Sequence, residues 1–232
     1  MKTIAFDTLM ERLEALADPK YREFNESLIP GPSGMSLGVR MPQLRALAKE
    51  ICRGDWSAFL RETDGNNLYE IVMLRGLVIA SAPCTFEERL SLLGMFIPEI
   101  ENWAVCDCVA GSLHSVKKHL PETLDFLKPY LKSTKEFELR FAVVMLMDYF
   151  LTPAYIGFVL ETLLKIRHDG YYVKMAVAWA VSVAFVKFRI RTLELLESRT
   201  LDPWVQNKSI QKCRESRRVS AEDKQMLLTL KV

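Results

Sequence analysis

Helical periodicity runs through almost the whole chain and constrains its fold more than any other feature. Apolar residues recur at intervals of three and four, whereas the alternation typical of half-buried strands is almost absent. First-turn prolines, N-cap residues before acidic turns, and Gly or Asn stops mark several segment ends. The sequence therefore predicts an all-α protein. We expect helices over residues 3–17, 42–53, 66–81, 85–97, 102–119, 121–132, 135–151, 153–167, 170–187, 190–199, 203–216 and 220–230.

The spacing of these helices indicates how they are arranged. The helices that carry Glu70, Trp103, Arg140 and Trp179 follow one another at intervals of 33, 37 and 39 residues. Helix pairs at that spacing build HEAT-type solenoids, in which each pair buries its apolar face by stacking on its neighbours. We predict a superhelical solenoid of HEAT-like antiparallel helix pairs, with residues 1–232 as a single domain. A generic helical bundle is the alternative, and only residues 29–38 resemble a substantial loop.

Composition narrows the class of protein. Half of the 232 residues are hydrophobic, yet no apolar run approaches the ~20 residues of a membrane span. Residues 1–12 contain early acidic side chains and lack the uninterrupted apolar core of a signal peptide. Five cysteines without paired spacing suit a reducing compartment better than a disulfide framework. We therefore expect a cytoplasmic monomer that does not contact a membrane.

Charges are segregated along the chain although the net charge is only +2. Between residues 206 and 218 five basic side chains accompany one acidic one, Glu215. Such segregation can build one basic face for a polyanion, and ordinary solvated helix faces are an equally weighted alternative. The candidate contacts to a DNA backbone are Arg40, Arg45, Lys118, Lys208, Lys212 and Arg217.

One segment, residues 102–119, places an indole and a carboxylate where a solvated face is expected. Trp103 and Asp107 are four residues apart and share one side of the predicted helix with His114 and Lys118. A solvated face usually carries long flexible charges rather than a large aromatic ring beside a carboxylate. This face is therefore a candidate site. The opposite, apolar side consists of Val105, Cys106, Val109, Leu113, Val116 and Leu120.

Four short segments form a pattern when their order and spacing are considered together. They are Leu37–Arg45, Asn102–Asp107, Glu138–Ala142 and Tyr172–Trp179. With them the chain resembles the AlkD-like DNA alkylation repair enzymes, the HEAT-like-repeat DNA glycosylases, over roughly residues 20–218. The resemblance implies a solenoid that holds duplex DNA with alkylated bases in a basic concave groove. It also implies that the protein removes N3- or N7-alkylated purines by hydrolysis of the N-glycosidic bond.

The resemblance also implies roles for individual residues. Asp107 corresponds to the catalytic aspartate of the family. Trp103 and Trp179 correspond to the two tryptophans that flank the lesion nucleotide. Arg140 corresponds to an arginine of the DNA-binding cleft, and Tyr21 to an aromatic residue near the N-terminus.

The chemistry of this reaction suits those residue types. Alkylated purines are cationic leaving groups, and their departure builds positive charge on the deoxyribose, as in other glycoside hydrolyses. A carboxylate on a rigid helix can stabilise that cation and orient or deprotonate the attacking water. Indole faces stabilise cations by about 0.5–2 kcal/mol each, and an arginine fits a phosphate by bidentate contact. The reaction requires no metal or cofactor, and we expect none.

Alternatives remain open for each of these residues. Asp107 could pair with Lys118 or with a neighbouring helix, the two tryptophans could be core residues, and Arg140 could pair with Glu136 on the same helix. For the whole protein, the alternative is a non-catalytic HEAT-like module that binds damaged or branched DNA or a protein partner. The small net charge favours it, as does Ser182, which stands where members of the family often carry a basic residue.

Overall fold

The chain is helical throughout the computed structural model, which describes residues 4–30 and 35–232. Those residues form fourteen α-helices and three short 3₁₀ turns, and none of them lies in a strand. The prediction of an all-α protein is confirmed. None of the described helices is both long and apolar enough to cross a membrane. The chain divides into two compact units, residues 1–115 and 116–232. The solenoid arrangement and the single-domain organisation stay predictions.

The first unit contains seven of the helices. Its central helix, α5 (Tyr69–Ser81), packs against α3, α6 and α7. Eleven of its thirteen residues are buried, which explains why its sequence is apolar on all sides. The other helices of this unit are α1 (Phe6–Ala15), α2 (Pro19–Glu26), α3 (Met41–Ile51), α4 (Trp56–Glu62), α6 (Phe86–Phe96) and α7 (Trp103–Ser112).

Gly76 allows α7 to approach α5 closely. A Cβ atom at this position would overlap the side chain of Val109 on α7 and would lie 2.9 Å from the ring of Phe96 on α6. The absence of a side chain therefore permits the contact between α5 and the helix that carries Trp103 and Asp107.

The second unit also contains seven helices. Its longest, α11 (Tyr171–Lys187), packs against α9, α10, α12 and α13. Ten of the fourteen residues of α9 are buried, including Arg140. The other helices of this unit are α8 (Leu120–Leu127), α9 (Glu136–Tyr149), α10 (Ile156–Lys165), α12 (Arg189–Ser198), α13 (Pro203–Glu215) and α14 (Ala221–Leu228).

Each of the twelve predicted helices corresponds to an α-helix, but the predicted helix 102–119 is too long. Helix α7 ends at Ser112, because Leu113 leaves the helical region with φ −79° and ψ 55°. Residues 114–118 then form a 3₁₀ turn. The predicted loop 29–38 is non-helical where it is described, and its residues 31–34 lie outside the described residues.

The prediction missed two helices, α2 and α4. Helix α2 has no buried residue and therefore no apolar stripe, although its capping Asp18 and first-turn Pro19 were available signals. Helix α4 has only seven residues, of which only Phe59 is buried. Both helices are held by capping and by a few contacts, so hydrophobic periodicity does not reveal them.

Candidate functional site

Helix α7 presents Trp103 and Asp107 on its partly exposed side. The helix begins after Asn102, whose extended backbone and side-chain oxygen, 2.9 Å from the Val105 amide, form an N-cap. Val105 is completely buried on the other side, whereas Trp103 and Asp107 are half-buried. The predicted core residues Val105, Cys106 and Val109 are all buried, and Ala110, on the side of Trp103 and Asp107, is buried as well. Asn102 is a positioning residue that the sequence analysis did not identify, although an Asn before an apolar stripe is a capping signal.

The indole of Trp103 is held in place by its own polar edge. Its Nε1–H donates a hydrogen bond of 2.9 Å to the backbone carbonyl of Leu28, in the segment after α2. This hydrogen bond fixes the orientation of the indole within the first unit. Trp103 is therefore a rigid aromatic surface on the same helix as Asp107 rather than a mobile surface side chain.

Arg45 on α3 contacts the same helix. Its guanidinium donates to the Ser112 hydroxyl at 3.1 Å, and this hydroxyl donates to the Cys108 carbonyl at 2.6 Å. Burial raises the pKa of the Cys108 thiol, the charge of Arg45 opposes that rise, and the charge of Asp107 adds to it. The Arg45 guanidinium and the Asp107 carboxylate are therefore both close enough to Cys108 to affect its pKa. Cys108 itself is a protonated packing residue.

Tyr21 and Arg40 form a second group in the first unit. The guanidinium of Arg40 lies 4.7 Å from the centre of the Tyr21 ring and donates to Asp18 at 2.8 Å. The Tyr21 amide and the Arg40 guanidinium both hold the pKa of Asp18 below its ordinary value. Arg40 remains more than half exposed, so part of this cation is available to an anion from solution.

Glu70 holds the loop that leads to Arg40, and the sequence analysis recognised it only as a marker of the helical period. Its carboxylate is completely buried and accepts hydrogen bonds from the amides of Leu37, Gly38 and Val39 at 2.9–3.1 Å. The hydroxyl of Ser36 donates to it at 3.1 Å. A carboxylate in the first turn of a largely apolar helix was the available signal.

Gly38 is required at the centre of this loop. Its φ is +81°, in the region that favours glycine, and a Cβ atom would overlap the backbone carbonyl of Asp18. The loop therefore packs directly on the start of α2, where Tyr21 and Arg40 meet.

In the second unit, Arg140 is buried between α9 and α11 with only 4% of its surface exposed. Its guanidinium donates to the Tyr172 carbonyl at 2.7 Å, while the carboxylate of Glu136 accepts from the Tyr172 amide at 2.6 Å. Both side chains therefore bond the backbone at the start of α11. This contact fixes the spacing of the two helices as well as the position of the cation.

Trp179 is half-buried at the edge of a pocket of ≈ 330 Å³. Ser182, Lys212 and Arg218 also line this pocket, which lies within the second unit. The Ser182 hydroxyl donates to the Trp179 carbonyl at 2.7 Å, so this buried side chain supports α11. Lys212, on α13, is the basic residue of that helix that lines the pocket together with Trp179.

Lys212 connects Trp179 with the other basic residues of this unit. Burial lowers the pKa of Lys212, Glu215 opposes the shift, and the charges of Lys208 and Arg140 add to it. These cations are therefore close enough to repel one another, and the carboxylate of Glu215 offsets that repulsion at Lys212. Lys208 and Lys212 thus lie close together on α13, with Lys212 in the same pocket as Trp179, and the buried Arg140 is close enough to lower the pKa of Lys212.

The predicted site residues fall into three groups. Trp103 and Asp107 lie on α7, which Arg45 contacts from α3. Tyr21 lies with Arg40, and the residues around Trp179 belong to the second unit. Lys118 and Arg217 are exposed and take part in none of the contacts described above. Among residues 4–30 and 35–232, no three His, Cys, Asp or Glu side chains are clustered so that they could hold a metal ion.

Comparison with known families identifies the chain. The sequence model of the DNA alkylation repair enzymes matches residues 9–183, well over half of the chain. The chain belongs to the DNA alkylation repair enzyme family. No curated protein matches it. Membership of this family supports a role in DNA repair and confirms the AlkD-like resemblance. The matched range includes Trp103, Asp107, Arg140 and Trp179, whereas the basic residues of α13 lie beyond it.

Proposed function

We propose that this DNA alkylation repair protein is a DNA glycosylase that removes N3- and N7-alkylated purines from duplex DNA. One observation carries the proposal. Asp107 and Trp103 lie one turn apart on the partly exposed side of α7, held by an N-cap and by the Leu28 carbonyl. A half-buried carboxylate beside an oriented indole is suited to a reaction in which a cation develops.

Asp107 would act on the sugar rather than on the base. When the C1′–N bond breaks, the electron pair leaves with the alkylated purine, whose positive charge is thereby neutralised, and the deoxyribose becomes cationic. The Asp107 carboxylate stabilises that sugar cation and accepts a proton from the water that attacks C1′. The products are a free alkylated base and an abasic site.

The basic residues of each unit would bind the DNA backbone. Arg45 reaches α7, Arg40 is more than half exposed, and Lys208 and Lys212 belong to a basic surface of the second unit. Contacts of this kind fix the register of the duplex without reading its sequence. Affinity for DNA should therefore fall as the salt concentration rises.

Base release from a duplex that contains N7-methylguanine tests the proposal. The wild-type protein should liberate free N7-methylguanine faster than the same duplex does without protein. A duplex of identical sequence with unmodified guanine is the matched control and should release no base. Release no faster than the spontaneous rate, from DNA that is fully bound, would overturn the enzymatic proposal.

A non-catalytic DNA-binding role is the second candidate, and it too rests on a specific observation. Arg140 and Ser182 stand where the family resemblance leads us to expect contacts to DNA, yet both side chains bond backbone carbonyls within the second unit. A protein of this kind would bind damaged or branched duplexes more tightly than intact duplexes and would release no base. The same assay therefore separates the two candidates.

A further inference from the structure

Four aromatic rings form a continuous row at the starts of three helices in the second unit. Phe137 on α9 lies 5.3 Å from Tyr172 on α11, which lies 5.3 Å from Tyr171. Tyr171 in turn lies 5.8 Å from Trp204 on α13, with the two rings 68° apart. All of these distances join ring centroids and fall within the range of favourable aromatic pairs. The second ring of the row belongs to Tyr172, whose backbone carbonyl accepts a hydrogen bond from Arg140.

The outer end of this row is exposed. Tyr171 has 55% of its surface exposed and Trp204 has 36%, although large aromatic side chains are usually covered in soluble proteins. The two rings meet edge to face, and both keep exposed surface on which a further flat group can pack. Their mutual packing also fixes both orientations before any ligand arrives.

The charge beside these rings favours an anionic ligand. The amine of Lys208 lies 5.6 Å above the Trp204 ring, and Lys174 follows Tyr171 by three residues on the same side of α11. Two nearby carboxylates are engaged in the helix starts, because Asp202 accepts the amide of Trp204 and Glu136 accepts the amide of Tyr172. Asp169, which is exposed in the loop before α11, carries a negative charge that opposes the binding of an anion here.

Flat groups joined by phosphates are the ligands that match this arrangement. In a duplex each base is already stacked on its neighbours, whereas an unpaired base offers a free face to an aromatic side chain. Surfaces that combine stacking rings with nearby cations bind single strands with little preference for sequence. The row is thus better matched to unpaired nucleotides than to an intact duplex.

We propose that Tyr171, Trp204 and Lys208 form a binding surface on which unpaired nucleotides of single-stranded DNA stack. The proposal takes DNA as the ligand from the repair role but does not depend on base release. With this surface the protein would hold a single-stranded region, such as a gap or an end, and this binding would not require Asp107.

Binding of an undamaged, single-stranded oligothymidylate, followed by fluorescence anisotropy, tests this inference. Trp204→Ala and Tyr171→Ala should each raise the dissociation constant by about fivefold or more, the usual range for loss of one stacking ring. Trp204→Phe keeps a ring and should lose less affinity. Phe158→Ala is the matched control, because this aromatic residue of the same unit is 38% exposed and lies outside the row.

The outcomes separate this inference from the proposed function. Because the oligothymidylate is undamaged, its binding can support this inference even if the protein releases no base. Conversely, Trp204→Ala should leave base release from a fully paired duplex unchanged. Equal affinity of the wild type, Trp204→Ala and Tyr171→Ala for the oligonucleotide would overturn it. The inference would also be overturned if the wild-type protein sedimented as a dimer and Trp204→Ala as a monomer. In that case a second copy of the chain, rather than DNA, would cover the aromatic row.

Discussion

Replacement of Glu70 should destabilise the first unit strongly, although this residue lies outside the proposed chemistry. Glu70→Leu keeps a side chain of similar size but removes the acceptor of the Leu37, Gly38 and Val39 amides. The bonds to Gly38 and Val39 are buried, whereas water can reach Leu37 more easily. The Gly38 amide keeps a second acceptor, the Ser36 hydroxyl at 3.1 Å, whereas the buried Val39 amide and the buried Ser36 hydroxyl lose theirs. Each buried donor without an acceptor costs about 1–3 kcal/mol, so these two together should cost about 2–6 kcal/mol. That is a large part of the roughly 5–15 kcal/mol that stabilises a typical domain.

Glu70→Gln should have a smaller effect. One carboxylate oxygen accepts the hydrogen bonds of Ser36, Gly38 and Val39, and the amide oxygen of glutamine can replace it. Only the second oxygen, which bonds Leu37, is exchanged for a donor. We therefore expect Glu70→Gln to lose about 1.5–3 kcal/mol, the contribution of one hydrogen bond to a charged group.

Urea unfolding followed by circular dichroism measures the loss, and amide hydrogen exchange at residues 37–39 locates it. Exchange at these amides should accelerate in Glu70→Leu, and this readout does not require the two units to unfold together. Glu62→Leu, an exposed substitution on α4, is the control and should leave both readouts unchanged. A loss below 1 kcal/mol, with unchanged protection of the three amides, would refute the role given to Glu70.

Two further predictions concern helix packing and pH. Gly76→Ala should lower the free energy of unfolding by about 1–3 kcal/mol because Val109 and Phe96 must move, whereas Gly157→Ala, on the surface of α10, should not destabilise. Equal thermal midpoints for the two variants would contradict this account of the contact. Because burial lowers the pKa of Lys212, the wild-type protein should lose this charge, and affinity for duplex DNA, at a pH below the ordinary lysine value of 10.5. Lys212→Arg should keep its affinity through that range, and identical pH profiles would remove Lys212 from the DNA surface.

Much of the fold was predictable because its helices follow their apolar residues. The long buried helices α5, α9 and α11 were all predicted, since their apolar runs are too long for strands. Helices α2 and α4 bury almost nothing, so the signal that found the others was missing. The early end of α7 was not predictable either, because the apolar stripe continues at helical spacing through the 3₁₀ turn that follows.

The candidate site was predictable only within one helix at a time. Trp103 and Asp107 share the partly exposed side of α7, which follows directly from helical geometry. Contacts between distant segments could not be derived in this way. The bond from Arg45 to Ser112 spans 67 residues, and Tyr171 meets Trp204 only because α11 packs on α13. Glu70 and the row of aromatic rings were therefore found in the structure alone.

The most direct test of the central claim is the rate of base release under single-turnover conditions by Asp107→Asn. With N7-methylguanine in duplex DNA and the spontaneous rate subtracted, this variant should be slower than the wild type by about 10²-fold or more, because it lacks the charge that stabilises the sugar cation. Its affinity for the duplex should change little, and Asp7→Asn, an exposed substitution on α1, should release base at the wild-type rate. A wild-type rate in Asp107→Asn would contradict the account.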